Sequence, residues 1–286
     1  MTPMTRRSFT FSTLAAALAA PAFGRKLSTF GVQLYTVRNI INNDPDRILR
    51  EIEAAGYKEI ETSYDNLDKL MEAVHKTKLR PVSIHLDADL LIKHREKLGP
   101  VLDDVKKRGF EYVVCPWIDV KDRGGVDAMK KLAGDLDKAG AQCMGAGLKL
   151  CYHNHAYEFA PVGNDGGTLL DVLMANTDPK HVAWEMDIFW VAVTGNDPGD
   201  LLKKYPKRVV LMHLKDKADG VAKRFDENVP RTAFKEVGSG TLDLKRILRL
   251  ANEAGVKHYF VEQDSTPGDP IASLKVSASY LKSLDF

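Results

Sequence analysis

Eight short apolar runs, separated by stretches of helical periodicity, fill this chain from about residue 28 to its end. They cover residues 29–34, 59–62, 81–85, 112–116 and 148–152, then three runs that close on Asp187, His213 and Glu262. Each is too short for a helix and too apolar to face water, so it reads as a strand covered on both faces. The intervening stretches supply the cover. Asp44 is placed to cap a helix with Pro45 at its first position, Ile48, Ile52 and Ala55 share one face, and Gly56 provides the stop. Near the end, Leu244, Ile247, Leu248 and Ala251 repeat that spacing before Gly255. Strands that need helices outside, and helices with one apolar stripe, satisfy each other in a (β/α)8 TIM barrel, a single α/β domain spanning residues 27–286. An open doubly wound sheet would also alternate in this way. It would call for a glycine-rich phosphate loop after the first strand, where Gln33-Leu34-Tyr35-Thr36-Val37-Arg38 stands instead. The stretch 216–241 reads as an extended loop after the seventh strand, a usual place for a lid.

The first residues are read differently. Arg6-Arg7 precedes the apolar stretch 14–20, and Ala20-Pro21-Ala22 puts small residues where a signal peptidase cuts, so residues 1–22 have the pattern of a twin-arginine export signal and imply a periplasmic or secreted protein. Arg6 and Arg7 are the only charges in that segment, which leaves 39 of the 41 basic residues against all 39 acidic ones. A neutral remainder with charges alternating along helix faces, as in residues 103–108, lacks the basic stripe of a nucleic-acid binder. Nothing beyond the signal predicts membrane insertion, and the oligomeric state stays open, a homodimer included. Cys115, Cys143 and Cys151 have no metal-finger spacing and read as buried small hydrophobes, with a Cys115–Cys151 bridge across adjacent strands as the alternative.

Candidate chemistry gathers at strand ends. His153-Asn154-His155-Ala156-Tyr157-Glu158-Phe159 follows the fifth run, and Asp187, His213 and Glu262 close the next three. Side chains alternate between the two faces of a strand, so Asp187, His213 and Glu262 at the last inward positions would converge on the barrel axis, with Glu158 able to complete the set. Singly, each such group is more often a loop cap or an ion-pair partner. Four at successive strand ends would accumulate uncompensated charge unless a cation or substrate neutralised it. Three carboxylates and one imidazole suit one divalent metal ion, Mn²⁺ first, with Mg²⁺, Co²⁺ and Zn²⁺ also able to bind.

The same stretches resemble the sugar phosphate isomerase/epimerase family of xylose-isomerase-like TIM barrels. The resemblance rests on residues 31–38, on Tyr152 to Phe159, on Asp187-Ile188-Phe189-Trp190, on His213-Leu214-Lys215-Asp216, on Gly238-Ser239-Gly240 and on Glu262. It implies a Glu-Asp-His-Glu metal quartet at Glu158, Asp187, His213 and Glu262. Many relatives place the first Glu inside strand five, where this chain has His153 and His155, so a histidine is the alternative first ligand. A metal chelated by a carbonyl and its neighbouring hydroxyl acidifies the C–H between them and stabilises an enediolate. Glu158, Glu262 and His155 are the candidate acid/base groups. His85, Trp117, His153, Trp190 and Lys215 are the candidate substrate contacts: imidazoles and an ammonium for hydroxyls, indoles for stacking on a sugar ring. The expected activity is isomerisation or epimerisation of a keto-sugar or polyol. Elimination from a 3-keto-glycoside or inosose by the same first step is the alternative, and a non-catalytic periplasmic sugar-binding protein the second. A DNA-repair endonuclease on the same barrel would need a basic groove and more zinc ligands.

Overall fold

The computed structural model describes residues 26–163 and 166–286. The export signal read at residues 1–22 lies outside them. Eight parallel strands close in chain order: β1 (Gly31–Gln33), β2 (Glu59–Ser63), β3 (Arg80–His85), β4 (Tyr112–Cys115), β5 (Lys149–His153), β6 (Val182–Asp187), β7 (Val209–Leu214) and β8 (His258–Val261), the last pairing back onto β1. All eight apolar runs became barrel strands, with ends shifted by a residue or two.

The first helix, Pro45–Ala55, forms as its signals dictate. Asp44 accepts the Arg47 N–H at 3.0 Å, Pro45 opens the first turn, and Gly56 stops the helix at φ +108°, where a Cβ would be strained. Ile48 and Ile52 are fully buried against the barrel, and Leu49 joins them where the pattern gave Ala55. In the helix Leu244–Ala254 all four expected positions are buried, before Gly255 at φ +89°. No helix among the described residues is long and apolar enough to cross a membrane.

The two faces of the strands carry different cores. Outward residues such as Tyr152, Trp184, Met186 and Val261 pack under the helices in the main cluster. Inward, Val82, Val114, Cys151, Ala183, Leu211 and Phe260 make a separate apolar plug on the barrel axis. Burying side chains of this size contributes about 1.5–3 kcal/mol each for the larger ones. Gly31 makes room for the plug, since a Cβ there would sit 2.6 Å from the Phe260 ring. Cys115 belongs to the outer core and Cys151 to the plug, so the two thiols lie on opposite faces of the sheet. All three cysteines are free and buried, which replaces the alternative bridge with the packing role.

Above the plug the alternation brings polar groups inward, two residues further along each strand: His153 after Cys151, Glu185 and Asp187 after Ala183, His213 after Leu211, and Glu262 after Phe260. The long loop after β7 is held over this end. Residues Asp216–Lys217 pair with Phe234–Lys235, and the Asp216 carboxylate accepts the N–H groups of Gly238 and Gly240 at 2.9 Å and of Leu242 at 3.2 Å. A Cβ on Gly240 would collide with that carboxylate, which accounts for the Gly238-Ser239-Gly240 motif. Arg123 reaches Glu227 of the same loop at 2.7 Å.

Candidate active site

A cavity of about 850 Å³ opens at the carboxyl ends of the strands. On its floor, His153, Lys215, Glu262 and Asp264 face the space, beside the buried Asp187 and His213. Asp187 is fixed from two sides. Its Oδ1 accepts the N–H groups of Phe189 and Trp190 and so caps the helix Ile188–Val193, while its own N–H donates to Asn154 Oδ1 at 3.0 Å. That leaves Oδ2 directed to the axis, 2.9 Å from Lys215 Nζ, 3.6 Å from His153 Nε2 and 4.0 Å from His213 Nδ1. Glu262 Oε2 closes the group, 2.7 Å from both His213 Nδ1 and Lys215 Nζ. Asp264 Oδ1 is the third acidic contact of the ammonium, at 2.7 Å.

These donors fit a divalent cation. His153, Asp187 and His213 each present a ligand atom within 4.8 Å of the others, and Glu262 borders them. The Lys215 ammonium lodged among Asp187, Glu262 and Asp264 marks this as a place where positive charge is held. Burial pushes the imidazoles of His153 and His155 well below their ordinary value, and nearby His213 and Lys215 add to the effect, so both rings are neutral and able to donate a lone pair. Burial also opposes the charge on Glu262, but Lys215 and His213 outweigh it and hold the carboxylate ionised. For His213 burial is overcome by Glu185, Glu61 and Glu262, and its imidazole is raised well above the ordinary range.

One layer deeper lie two further carboxylates. Glu61 Oε1 is 2.6 Å from His213 Nε2, 2.9 Å from His85 Nε2 and 2.9 Å from Gln33 Nε2. Glu185 Oε2 is 2.9 Å from His153 Nδ1 and 3.4 Å from His85 Nε2. Both acids are fully buried, and Glu61 Oε2 and Glu185 Oε1 have no hydrogen-bond partner among the described residues. Burial is again overcome for His85, which the two carboxylates raise to about 9.

Of the sequence-derived quartet, Asp187, His213 and Glu262 meet on the axis and Glu158 does not join them. The chain leaves β5 through Asn154 and turns in the short 3-10 segment Tyr157–Phe159, which carries Glu158 behind the strand to the outward-facing Tyr152. There its carboxylate accepts the Tyr152 hydroxyl at 2.7 Å and the His155 N–H at 3.0 Å, fully buried. Desolvation raises its pKa to about 7. His153 stands where that carboxylate was expected. His155 lines the cavity beside Trp190, whose indole is otherwise packed against Phe189 and Phe234. Trp117 is 43% exposed at the cavity wall, under the Arg123 guanidinium, so it is available for stacking. Glu61, Glu185 and Asp264 escaped the sequence reading although a signal was there. Glu185 lies two residues before Asp187 on the same strand face, Asp264 two residues after Glu262 just past the last strand, and Glu61 near the end of the second apolar run.

A family model described as xylose isomerase-like TIM barrel matches residues 49–284. An inosose dehydratase of Clostridium perfringens is 30% identical over 207 residues, which are 67% of this chain and 68% of that protein. A solved sugar phosphate isomerase/epimerase from Parabacteroides distasonis shares the fold with a TM-score of 0.76 and 23% identity, over 90% of this chain and 98% of that one. The IolI protein, solved with a bound zinc atom, superposes with a TM-score of 0.68 and 18% identity, over 90% and 99% of the two chains. With the family model matched over most of its length, and with a closed eight-stranded barrel carrying polar groups at its carboxyl end, this chain belongs to the xylose isomerase-like TIM barrel family.

Proposed function

We propose that this protein is a divalent-metal-dependent isomerase or epimerase that removes the proton next to the carbonyl of an unphosphorylated keto-sugar or keto-polyol. The observation that carries the reading is the meeting of His153, Asp187, His213 and Glu262 on the floor of a sugar-sized cavity. A divalent cation held by these four would polarise the carbonyl and acidify the neighbouring C–H. Mn²⁺ remains the first choice; the second imidazole moves Co²⁺ and Zn²⁺ ahead of Mg²⁺, and the zinc in the IolI structure supports a divalent ion.

The chain's own residues supply the proton handling. His155 is neutral and borders the cavity, so it is our candidate base. Asp264, raised to about 6 by burial against the pull of Lys215, is a second group able to exchange a proton there. Lys215 Nζ, between Asp187 and Asp264, is placed to hold a substrate oxygen as charge develops. Arg38 and Lys215 are the only Lys or Arg side chains lining the cavity among the described residues. Arg38 is engaged with the carbonyls of Tyr35 and Asp264, and Lys215 with three carboxylates, which supports a substrate without phosphate.

Elimination is the second reading, favoured by the 30% identity to an inosose dehydratase. Both share the proton abstraction, and one experiment covers both. Incubation of the metal-replete protein in D₂O with ketoses, inososes and 3-keto-glucosides should place deuterium beside the carbonyl of at least one of them, or release its β-substituent, and a chelator should abolish the effect. A shifted carbonyl identifies an isomerase, an inverted centre an epimerase and an unsaturated ketone a lyase. No exchange across the panel would leave a sugar-binding protein as the better account. Export is part of the same proposal: the protein with Arg6→Lys and Arg7→Lys should accumulate in the cytoplasm, and normal export of that variant refutes the signal.

A further inference from the structure

Two fully buried acids stand beneath the proposed metal site. Glu61 on β2 and Glu185 on β6 do not line the cavity, yet each makes a short contact to a histidine of the proposed metal site. The contacts follow one rule. His213 meets Glu61 through Nε2 at 2.6 Å and turns Nδ1 toward Glu262, while His153 meets Glu185 through Nδ1 at 2.9 Å and turns Nε2 toward Asp187. In each ring one nitrogen faces the deep carboxylates, with Glu185 a longer second neighbour of His213 Nε2 at 3.3 Å, and the other serves the cavity side. An imidazole without such a partner can turn over about its Cβ–Cγ bond, which would exchange a ring nitrogen for a carbon at the site.

We propose that Glu61 and Glu185 are positioning residues that hold the far ring nitrogens of His213 and His153, so that Nδ1 of the first and Nε2 of the second stay aimed at the metal site. The inference rests on the function proposed above. The acids are themselves held: Gln33 Nε2 donates to Glu61 at 2.9 Å, and His85 Nε2 lies between the two carboxylates at 2.9 and 3.4 Å. Both stand on strands of a closed barrel, where backbone shifts are least available. A carboxylate behind a ligand histidine fixes its orientation and raises its basicity, and losing one commonly weakens metal binding about 10- to 100-fold. The competing use of the same atoms is a second cation among Glu61, His85, Glu185 and His213, whose ligand atoms also lie within 4.8 Å of one another. Of those four only His85 reaches the cavity, so such an ion would be screened from substrate.

The test compares wild type, Glu61→Gln and Glu185→Gln, each loaded with Zn²⁺. Stoichiometry is read by elemental analysis, affinity by competition with a chelator, and the exchangeable imidazole N–H signals by proton NMR. Wild type should bind one Zn²⁺, and each variant should still reach one at saturation but with affinity about 10- to 100-fold lower. Glu61→Gln should shift or lose the N–H signal of His213 and leave that of His153 in place. Glu185→Gln should lose that of His153 and at most shift that of His213, which Glu185 meets only at 3.3 Å, an asymmetry that general loosening of the barrel would not produce. Because the variants sit on different strands, either one that folds decides the matter for its own histidine. Affinity within about threefold of wild type, with both signals in place, overturns the inference and leaves the metal site standing. Folded wild type that binds no Zn²⁺ overturns the site and the inference together. Two Zn²⁺ per wild-type chain, one of them lost in Glu61→Gln, overturns the positioning role in favour of a second cation.

Discussion

His213→Ala is expected to lower the unfolding free energy of the metal-free protein by about 3–5 kcal/mol, the range for breaking a buried ion pair, and to bring proton exchange below detection. The ring is fully buried, with Glu61 and Glu262 at 2.6 and 2.7 Å, Glu185 at 3.3 Å and Asp187 at 4.0 Å. Burial resists its protonation, but the carboxylates prevail and hold it as a cation at neutral pH. Alanine removes that charge and leaves the acids facing one another in a low-dielectric interior. The sign of the pH dependence follows. A group whose folded pKa is raised contributes its full stabilisation below the unfolded value, and the contribution fades as pH rises through the folded value. The stability gap between wild type and variant should therefore be full at pH 6 and smaller at pH 9. Urea denaturation at the two pH values measures it, and equal stability of the two proteins at pH 6 would contradict the charge assignment. Loss of exchange follows separately, because His213 is also a proposed ligand.

Lys215→Met should separate the metal-free state from the metal-bound one. The ammonium is nearly fully buried and touches Asp187, Glu262 and Asp264 at 2.7 to 2.9 Å. Methionine keeps the stem and its packing but removes the charge, so the metal-free variant should be destabilised by about 3–5 kcal/mol. A dication entering the site would neutralise the same carboxylates, and binding to the folded state alone adds stability by mass action. The rise in melting temperature on adding saturating Mn²⁺ should be clearly larger for Lys215→Met than for wild type. Equal rises in the two proteins would mean that Lys215 and the metal do not share these acids.

The alternation of apolar runs and amphipathic stretches sufficed for the barrel, because burial of strands on both faces and of one helix stripe is written into residue order. The cap at Asp44 and the glycine stops at Gly56 and Gly255 are local and formed as local chemistry requires. The convergence of Asp187, His213 and Glu262 was legible for the same reason: they lie on strands or at their ends, where a period of two fixes direction. Glu158 follows a departure from the strand, and period two says nothing beyond that point. The direction taken there depends on Asn154, which bonds Trp184 and Asp187, and on Tyr152, which offers its hydroxyl behind the strand. The pairing of Glu61 with His213 was beyond reach because it joins strands 152 residues apart, and only closure of the barrel brings them together.

Four neighbouring strands read upward in the same three storeys. Cys151, Ala183, Leu211 and Phe260 form the apolar ground floor; His153, Glu185, His213 and Glu262 form the middle one; and His155, Asp187, Lys215 and Asp264 form the top, except that Asp187 also leans down to the middle. Folding depends on the ground floor, and the middle floor is locked by contacts between strands. His155, Lys215 and Asp264 of the top floor, just past the strands, line the cavity together with His153 and Glu262 below them; chain direction there is set by loops that can change without unmaking the barrel. A barrel so divided separates what lets it fold from what lets it bind: substitutions near the strand ends can alter the cavity while the apolar floor beneath them stays as it is.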